Sequence, residues 1–309
     1  MIRTLMLAAA LLVGSVLPMH ADADKRINVV TSFSILADFA KNVGGDRVQV
    51  SSLVGPNGDS HVYTPTPADV KAIGEAAVVI VNGWGFEGWL NRLAASARNS
   101  SRGGKITIVE ATKNIPALKD NDPHDHDHGH HHAGEIDPHA WQSVENAKIY
   151  VQNIRDALIK ADPEGATAYR ANGDAYVARL DALDREVQAA VASIPKARRK
   201  VISSHDAFGY FASRYGIAFL SPQGVSTDSE PSARDVAAII RQIKSEKIPA
   251  VFMENISDPR LMNRIASETG AKVGGTLYTD SLTDENGPAP TYIAMVRHNI
   301  KALTSALAD

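Results

Sequence analysis

Cysteine is absent from all 309 residues. That absence excludes disulfides, thiolate zinc sites, thiol nucleophiles and iron–sulfur clusters, so any metal must be held by His, Asp, Glu or backbone oxygen. A surplus of positive charge is also missing. Lys and Arg number 32 against 35 Asp and Glu, a net charge of -3, which leaves nothing to neutralise phosphates in a general nucleic-acid binder. No apolar run reaches the ~20 residues that a membrane helix needs. No HExxH stands anywhere to suggest a zinc hydrolase. What remains is ordinary globular composition, 44% hydrophobic and 22% charged, in a chain long enough for two lobes.

The first 23 residues read as an address. Arg3 supplies a positive start, residues 5–17 an apolar run, and Ala21-Asp22-Ala23 a small-x-small cleavage pattern. The expectation is a signal peptide over 1–23, removed near Ala23. With no cysteine to carry a lipid, the exported product is expected to be soluble in a periplasm, without a lipid anchor.

The remainder alternates strand and helix patterns, predicting an α/β fold with mostly parallel sheets. Strands are expected at 27–32, 48–53, 78–81 and 106–110, and again at 200–203, 217–220, 250–253 and 272–277. Helices are expected at 67–75, 84–98, 143–160, 207–215, 232–246, 258–269 and 291–307. This gives two similar lobes of four strands each, 24–163 and 195–309. Between them, Tyr169, Tyr176, Leu180, Leu183, Val187, Val191 and Ile194 fall on one helical face. A helix over 164–194 would run roughly 46 Å and act as a stiff spine limiting hinge opening.

One segment cannot belong to a core. Asp120–His132 reads DNDPHDHDHGHHH and carries His124, His126, His128, His130, His131 and His132. Residues 120–135 are expected to form a mobile loop that captures metal weakly, since ordering such a loop costs entropy.

Outside this loop and the leader, the chain has four histidines: His61, His139, His205 and His298. The first three share one kind of position, each at a strand end or in a loop just before a helix. Ligands of open α/β sheets gather in the crevice outside the carboxyl ends of the strands, so these three can meet between the lobes. His298 lies within the 291–307 helix and reads as a surface residue. A carboxylate beyond a strand end could join them, and Asp280, Glu110, Asp228 and Glu254 all qualify; spacing does not choose. Three imidazoles and one carboxylate make a closed tetrahedral N3O set, which suits Zn2+ and leaves no position for an activated water. Ordinary imidazoles would make the affinity fall as pH drops through roughly 6.5.

Taken in order, GPNGDSHVYTPTPADV, NGWGFEGWL, DPHAW, SSHDAFGYFASRYGI and LYTDSLTDENGPAPTY resemble the zinc-binding receptors of bacterial ABC transporters, the ZnuA-like and AztC-like members of the metal-receptor family. The resemblance covers essentially the whole chain after the leader. It implies two α/β lobes joined by a single long helix, with His61, His139, His205 and Asp280 as ligands in the cleft. Manganese-binding relatives usually place a carboxylate where this chain has His205. The resemblance further implies a monomeric, non-enzymatic zinc carrier that hands its ion to a membrane permease with a cytoplasmic ATPase. A periplasmic zinc metallochaperone is a candidate donor to it. A buffer working without a permease is the remaining rival.

Overall fold

The computed structural model describes residues 26–100, 106–119 and 136–308. The expected signal peptide and the six loop histidines lie outside the described residues. In the first half come β1 (Ile27–Phe33), α1 (Ser34–Gly44), β2 (Val48–Val54), α2 (Pro67–Glu75), β3 (Val78–Val81), α3 (Leu90–Ser100) and β4 (Ile108–Glu110). Helices α4 (Val144–Ala161) and α5 (Ala166–Ala192) follow. The second half holds β5 (Lys200–Ile202), α6 (Gly209–Tyr215), β6 (Ala218–Leu220), α7 (Ala233–Glu246), β7 (Ala250–Glu254), α8 (Pro259–Thr269), β8 (Lys272–Leu277) and α9 (Tyr292–Leu307).

The two sheets repeat one topology, β2-β1-β3-β4 and β6-β5-β7-β8, and every pairing within them is parallel. The order reverses between β1 and β3 in one half and between β5 and β7 in the other. Those are the points where a crevice opens beyond the strand ends. Burial on both faces explains the apolar run of β3, Val78 to Val81, all of it inside.

Helix α5 carries the stripe expected of it: Tyr169, Tyr176, Leu180, Leu183, Val187 and Val191 are buried, as is Ile194 just beyond its end. It touches α1 and α4 of the first half and α6 and α9 of the second. Its regular part is 27 residues, about 40 Å, because a 3-10 turn at Pro163–Gly165 precedes it. One hydrophobic cluster runs unbroken from Val29 through α5 to Leu307, with a smaller one beneath α7 and α8. The lobes are therefore fused along a common core, and a wide hinge opening would have to break it.

The helix expected at 84–98 begins only at Leu90. Gly83, Trp84 and Gly85 take φ of 93°, 54° and 82°, a left-handed run that no helix tolerates. The buried Glu87 carboxylate holds this turn, accepting the N–H groups of Asn82 (2.7 Å) and Gly83 (3.1 Å) and the Ser32 hydroxyl (2.6 Å). Burial pushes Glu87 above the ordinary carboxylate range. Among the described residues, no helix is long and apolar enough to cross a membrane.

Candidate metal centre

His61 sits in the loop between β2 and α2. The indole N–H of Trp89 fixes that loop through the Ser60 carbonyl at 2.8 Å. His139 opens a 3-10 turn, Ala140–Gln142, immediately ahead of α4. His205 lies just past β5, where its backbone pairs with Gln223. Asp280 follows β8, beside Thr279, whose carbonyl accepts both Trp141 Nε1 and Gln142 Nε2 at 2.9 Å. Two groups come from each half, and all four stand in the crevice at the strand ends.

Their donor atoms converge within 4.8 Å of one another. Asp280 Oδ2 is 3.2 Å from Nε2 of His61, 3.3 Å from Nε2 of His205 and 3.7 Å from Nε2 of His139. The Nε2 atoms of His61 and His139 are 3.3 Å apart. A tetrahedron around an ion with bonds of ~2.0–2.2 Å has edges of about 3.3–3.6 Å. His139, His205 and Asp280 are fully buried, yet His205 Nε2 and both Asp280 oxygens have no hydrogen-bond partner. Buried polar atoms left like this cost free energy unless something else satisfies them, and a cation at their centre would do so.

What stands behind each imidazole differs. Asp137 Oδ1 meets Nδ1 of His139 at 2.8 Å and accepts its backbone N–H at 2.9 Å. Glu254 Oε2 meets Nδ1 of His205, while Oε1 accepts the N–H groups of Ser204 (2.7 Å) and His205 (3.0 Å). These contacts turn both Nε2 atoms inward, the usual way a carboxylate orients a metal-bound histidine. Among the described residues His61 has no such brace; its ring rests edge-on against Phe86, centroids 4.8 Å apart.

The charges follow from this arrangement. Burial works against a charge on His139, but the carboxylates of Asp280 and Asp137 outweigh it and lift that imidazole to about 9. Burial is likewise overridden at His205, which Glu254 and Asp280 hold well above the usual range. Asp280, despite complete burial, is kept ionised by His139 and His205. His61 alone is lowered, by burial first and then by its two charged neighbours, which together outweigh Asp280.

Of the competing carboxylates, Glu254 is in the site but behind His205. Asp228 is exposed and bonds locally to Ser226 and Ser229, and Glu110 is exposed at the end of β4. His298 is a correction to the sequence expectation. It is half-buried, with Nε2 3.1 Å from the Thr276 carbonyl and its ring edge-on to Tyr278, and it takes no part in the cluster. The roles of Asp137 and Asp59 went unassigned in the sequence, although their signal is local. In both Asp59-Ser60-His61 and Asp137-Pro138-His139 the aspartate accepts the amide N–H of the histidine two residues on, at 2.9 Å. Glu254 carries no such signal, being 49 residues from His205.

Replacing Glu254 by Gln should weaken metal binding by about 10–100-fold, because one amide oxygen cannot replace two carboxylate oxygens that meet His205 Nδ1, the Thr279 hydroxyl and the N–H groups of Ser204 and His205. Competition with a chromogenic chelator reads this directly; unchanged affinity would mean that Glu254 does not orient His205.

Two parallel sheets fused by one helix, with three imidazoles and a carboxylate converging between them, define a cation receptor. The model of the family described as "Zinc-uptake complex component A periplasmic" matches residues 29–306, and the chain belongs to that family. It is similar to the manganese-binding lipoprotein MntA of Halalkalibacterium halodurans, 33% identical over 92% of this chain and 89% of that protein. It is also similar to the metal ABC transporter substrate-binding lipoprotein SsaB of Streptococcus sanguinis, 30% identical over 94% and 92%. Its fold matches the periplasmic zinc-binding protein TroA of Treponema pallidum with a TM-score of 0.83, at 31% identity over 92% of this chain and all of that one. The protein is thus a metal-binding receptor of the ABC-transporter type and not an enzyme, and its partners are a permease and an ATPase.

Proposed function

We propose that the cargo is Zn2+, bound by His61, His139, His205 and Asp280 and delivered to the permease for import. The observation that carries this reading is the bare carboxylate of Asp280, buried with both oxygens unpartnered and three imidazole nitrogens 3.2–3.7 Å away. The donor chemistry favours zinc: three nitrogens and one oxygen form a complete tetrahedral set, whereas manganese prefers more oxygen. The relatives do not separate the metals, since one is named for manganese and another for zinc. In this reading the receptor works in the periplasm after removal of residues 1–23. Two of the relatives are named lipoproteins, but this sequence offers no cysteine for a thioether-linked lipid, and we propose that it acts detached from the membrane. His124, His126, His128, His130, His131 and His132 collect zinc weakly and pass it inward.

The test is a count of retained metal. Purified protein stripped with chelator and offered zinc with a tenfold excess of manganese should keep one zinc. A variant lacking 120–135 should keep it equally well at saturation but load more slowly when zinc is limiting. Retention of manganese over zinc would overturn the cargo assignment, and loss of the tight ion with the loop would overturn the cleft.

A further inference from the structure

The two Asp-x-His segments use their carboxylates differently. Asp137 turns Oδ1 back on His139, where that one oxygen meets both the amide and the ring. Asp59 gives only Oδ1 to the His61 amide, and its Oδ2 accepts the Thr227 hydroxyl at 2.6 Å. Thr227 is 168 residues away, in the loop 221–232 between β6 and α7. That loop is rooted beside a second ligand. Gln223 pairs with the His205 backbone, and the Asp206 N–H donates to the Gly224 carbonyl at 3.2 Å. The Gln223 side chain then spans the loop, donating to the Ser229 carbonyl at 2.8 Å.

The Thr227 hydroxyl therefore links the loop carrying His61 to the loop framing His205. Beside it lies a cavity of about 470 Å³ whose lining includes Asp59, Ser204, Gln223, Thr227 and Glu230. Ser204 is 6% exposed and its hydroxyl has no partner. Loop 221–232 thus has polar space to move into. The rest of the His61 loop is held from elsewhere: the Asn57 N–H donates to the Leu282 carbonyl at 2.9 Å, and Trp89 holds Ser60.

We propose that Asp59 is a positioning residue and Thr227 its switch: the hydroxyl seats His61 on the metal only while loop 221–232 is docked. Release then begins at His61, which among the described residues has no carboxylate behind its ring, and leaves His139 and His205 braced. A partner that draws loop 221–232 away unloads the receptor without parting the lobes. This rests on the metal reading above and adds the step by which the site lets go.

The experiment times zinc release from the loaded full chain after mixing with excess chelator. Thr227→Val should release zinc about tenfold faster, as expected for one lost bond to a charged acceptor, and Thr227→Ser should restore nearly the original rate. Asp59→Ala should release at least as fast as Thr227→Val. The double variant should be no faster than Asp59→Ala, because both changes cut one linkage. A Thr227→Val rate equal to that of the unaltered protein, or effects that multiply in the double variant, would overturn the switch. Failure of the unaltered protein to hold zinc would instead overturn the metal reading. Melting curves in chelator should coincide for Thr227→Val and Thr227→Ser, so that slow and fast release are compared between equally folded proteins.

Discussion

His61→Ala and His205→Ala are expected to lose the metal alike and to differ in stability. Each removes one of four ligands, and the loss in affinity should exceed the 10–100-fold typical of an outer partner. In the metal-free proteins the two part ways. His205 is the charged neighbour of Glu254, whose carboxylate is 2% exposed and meets its Nδ1. Removing one member of a buried pair costs about 3–5 kcal/mol, since the other is left charged and uncompensated. His61 stands on a loop, half-buried, with its imidazole lowered and therefore neutral. Its removal uncovers no carboxylate except Asp280, which keeps His139 and His205. Urea unfolding in excess chelator should therefore give a much lower midpoint for His205→Ala and a nearly unchanged one for His61→Ala. Equal midpoints would mean that the Glu254–His205 pair does not stabilise the fold.

The same asymmetry shows which parts of the site were legible in the sequence. The loop positions of His61, His139 and His205, past a strand or ahead of a helix, were legible because the alternation of strand and helix fixes where a loop must emerge. The face of α5 was legible for the same reason: a period near 3.6 persists through seven apolar residues. The late start of α3 was not legible, because the conformation of Gly83-Trp84-Gly85 is set by Glu87 and Ser32, and Ser32 lies 55 residues from that carboxylate. Choosing Asp280 over Glu254 was beyond spacing too. Glu254 ends one strand and Asp280 follows its neighbour in the same parallel sheet, and only packing sends one carboxylate to the centre and the other behind an imidazole. The inter-lobe bond of Asp59 to Thr227 has no local signature at all, whereas the Asp-x-His turns that flank it do.

The common core around α5 also bears on how the receptor works. The hydrogen bonds from Trp141 and Gln142 to Thr279, and from Leu282 N–H to the Ser34 hydroxyl (2.9 Å), tie the lobes immediately around the ligands. With so many bonds crossing the crevice, loading and unloading through loop movement requires fewer broken contacts than a wide swing of one lobe would. In the proposed reading the ion would sit in a rigid frame, with three of the four donor residues fully buried and two of them braced from behind by carboxylates.

Zinc binding at pH 7 should release about two protons, and the affinity should rise by roughly a hundredfold per pH unit around neutrality. The sign follows from the ring environments. His139 is lifted to about 9 and His205 lies well above the ordinary imidazole range, so both are protonated in the metal-free protein at neutral pH. The metal binds the neutral rings, so each proton competes with it, and acid weakens binding. His61, lowered by burial, contributes no proton at pH 7. Exchange of one divalent ion for two protons leaves the charge of the buried cluster unchanged, which removes the electrostatic cost that a doubly charged ion would otherwise meet in a closed site. Bare imidazoles would have placed the whole dependence near 6.5; the carboxylates of Asp280, Asp137 and Glu254 move it upward, so affinity should still be climbing at pH 8 and should shed one proton of its slope as pH passes 9. Calorimetry in buffers of different ionisation enthalpy counts the released protons directly. A release near zero at pH 7, with affinity flat from 7 to 9, would mean that the buried carboxylates do not charge the imidazoles.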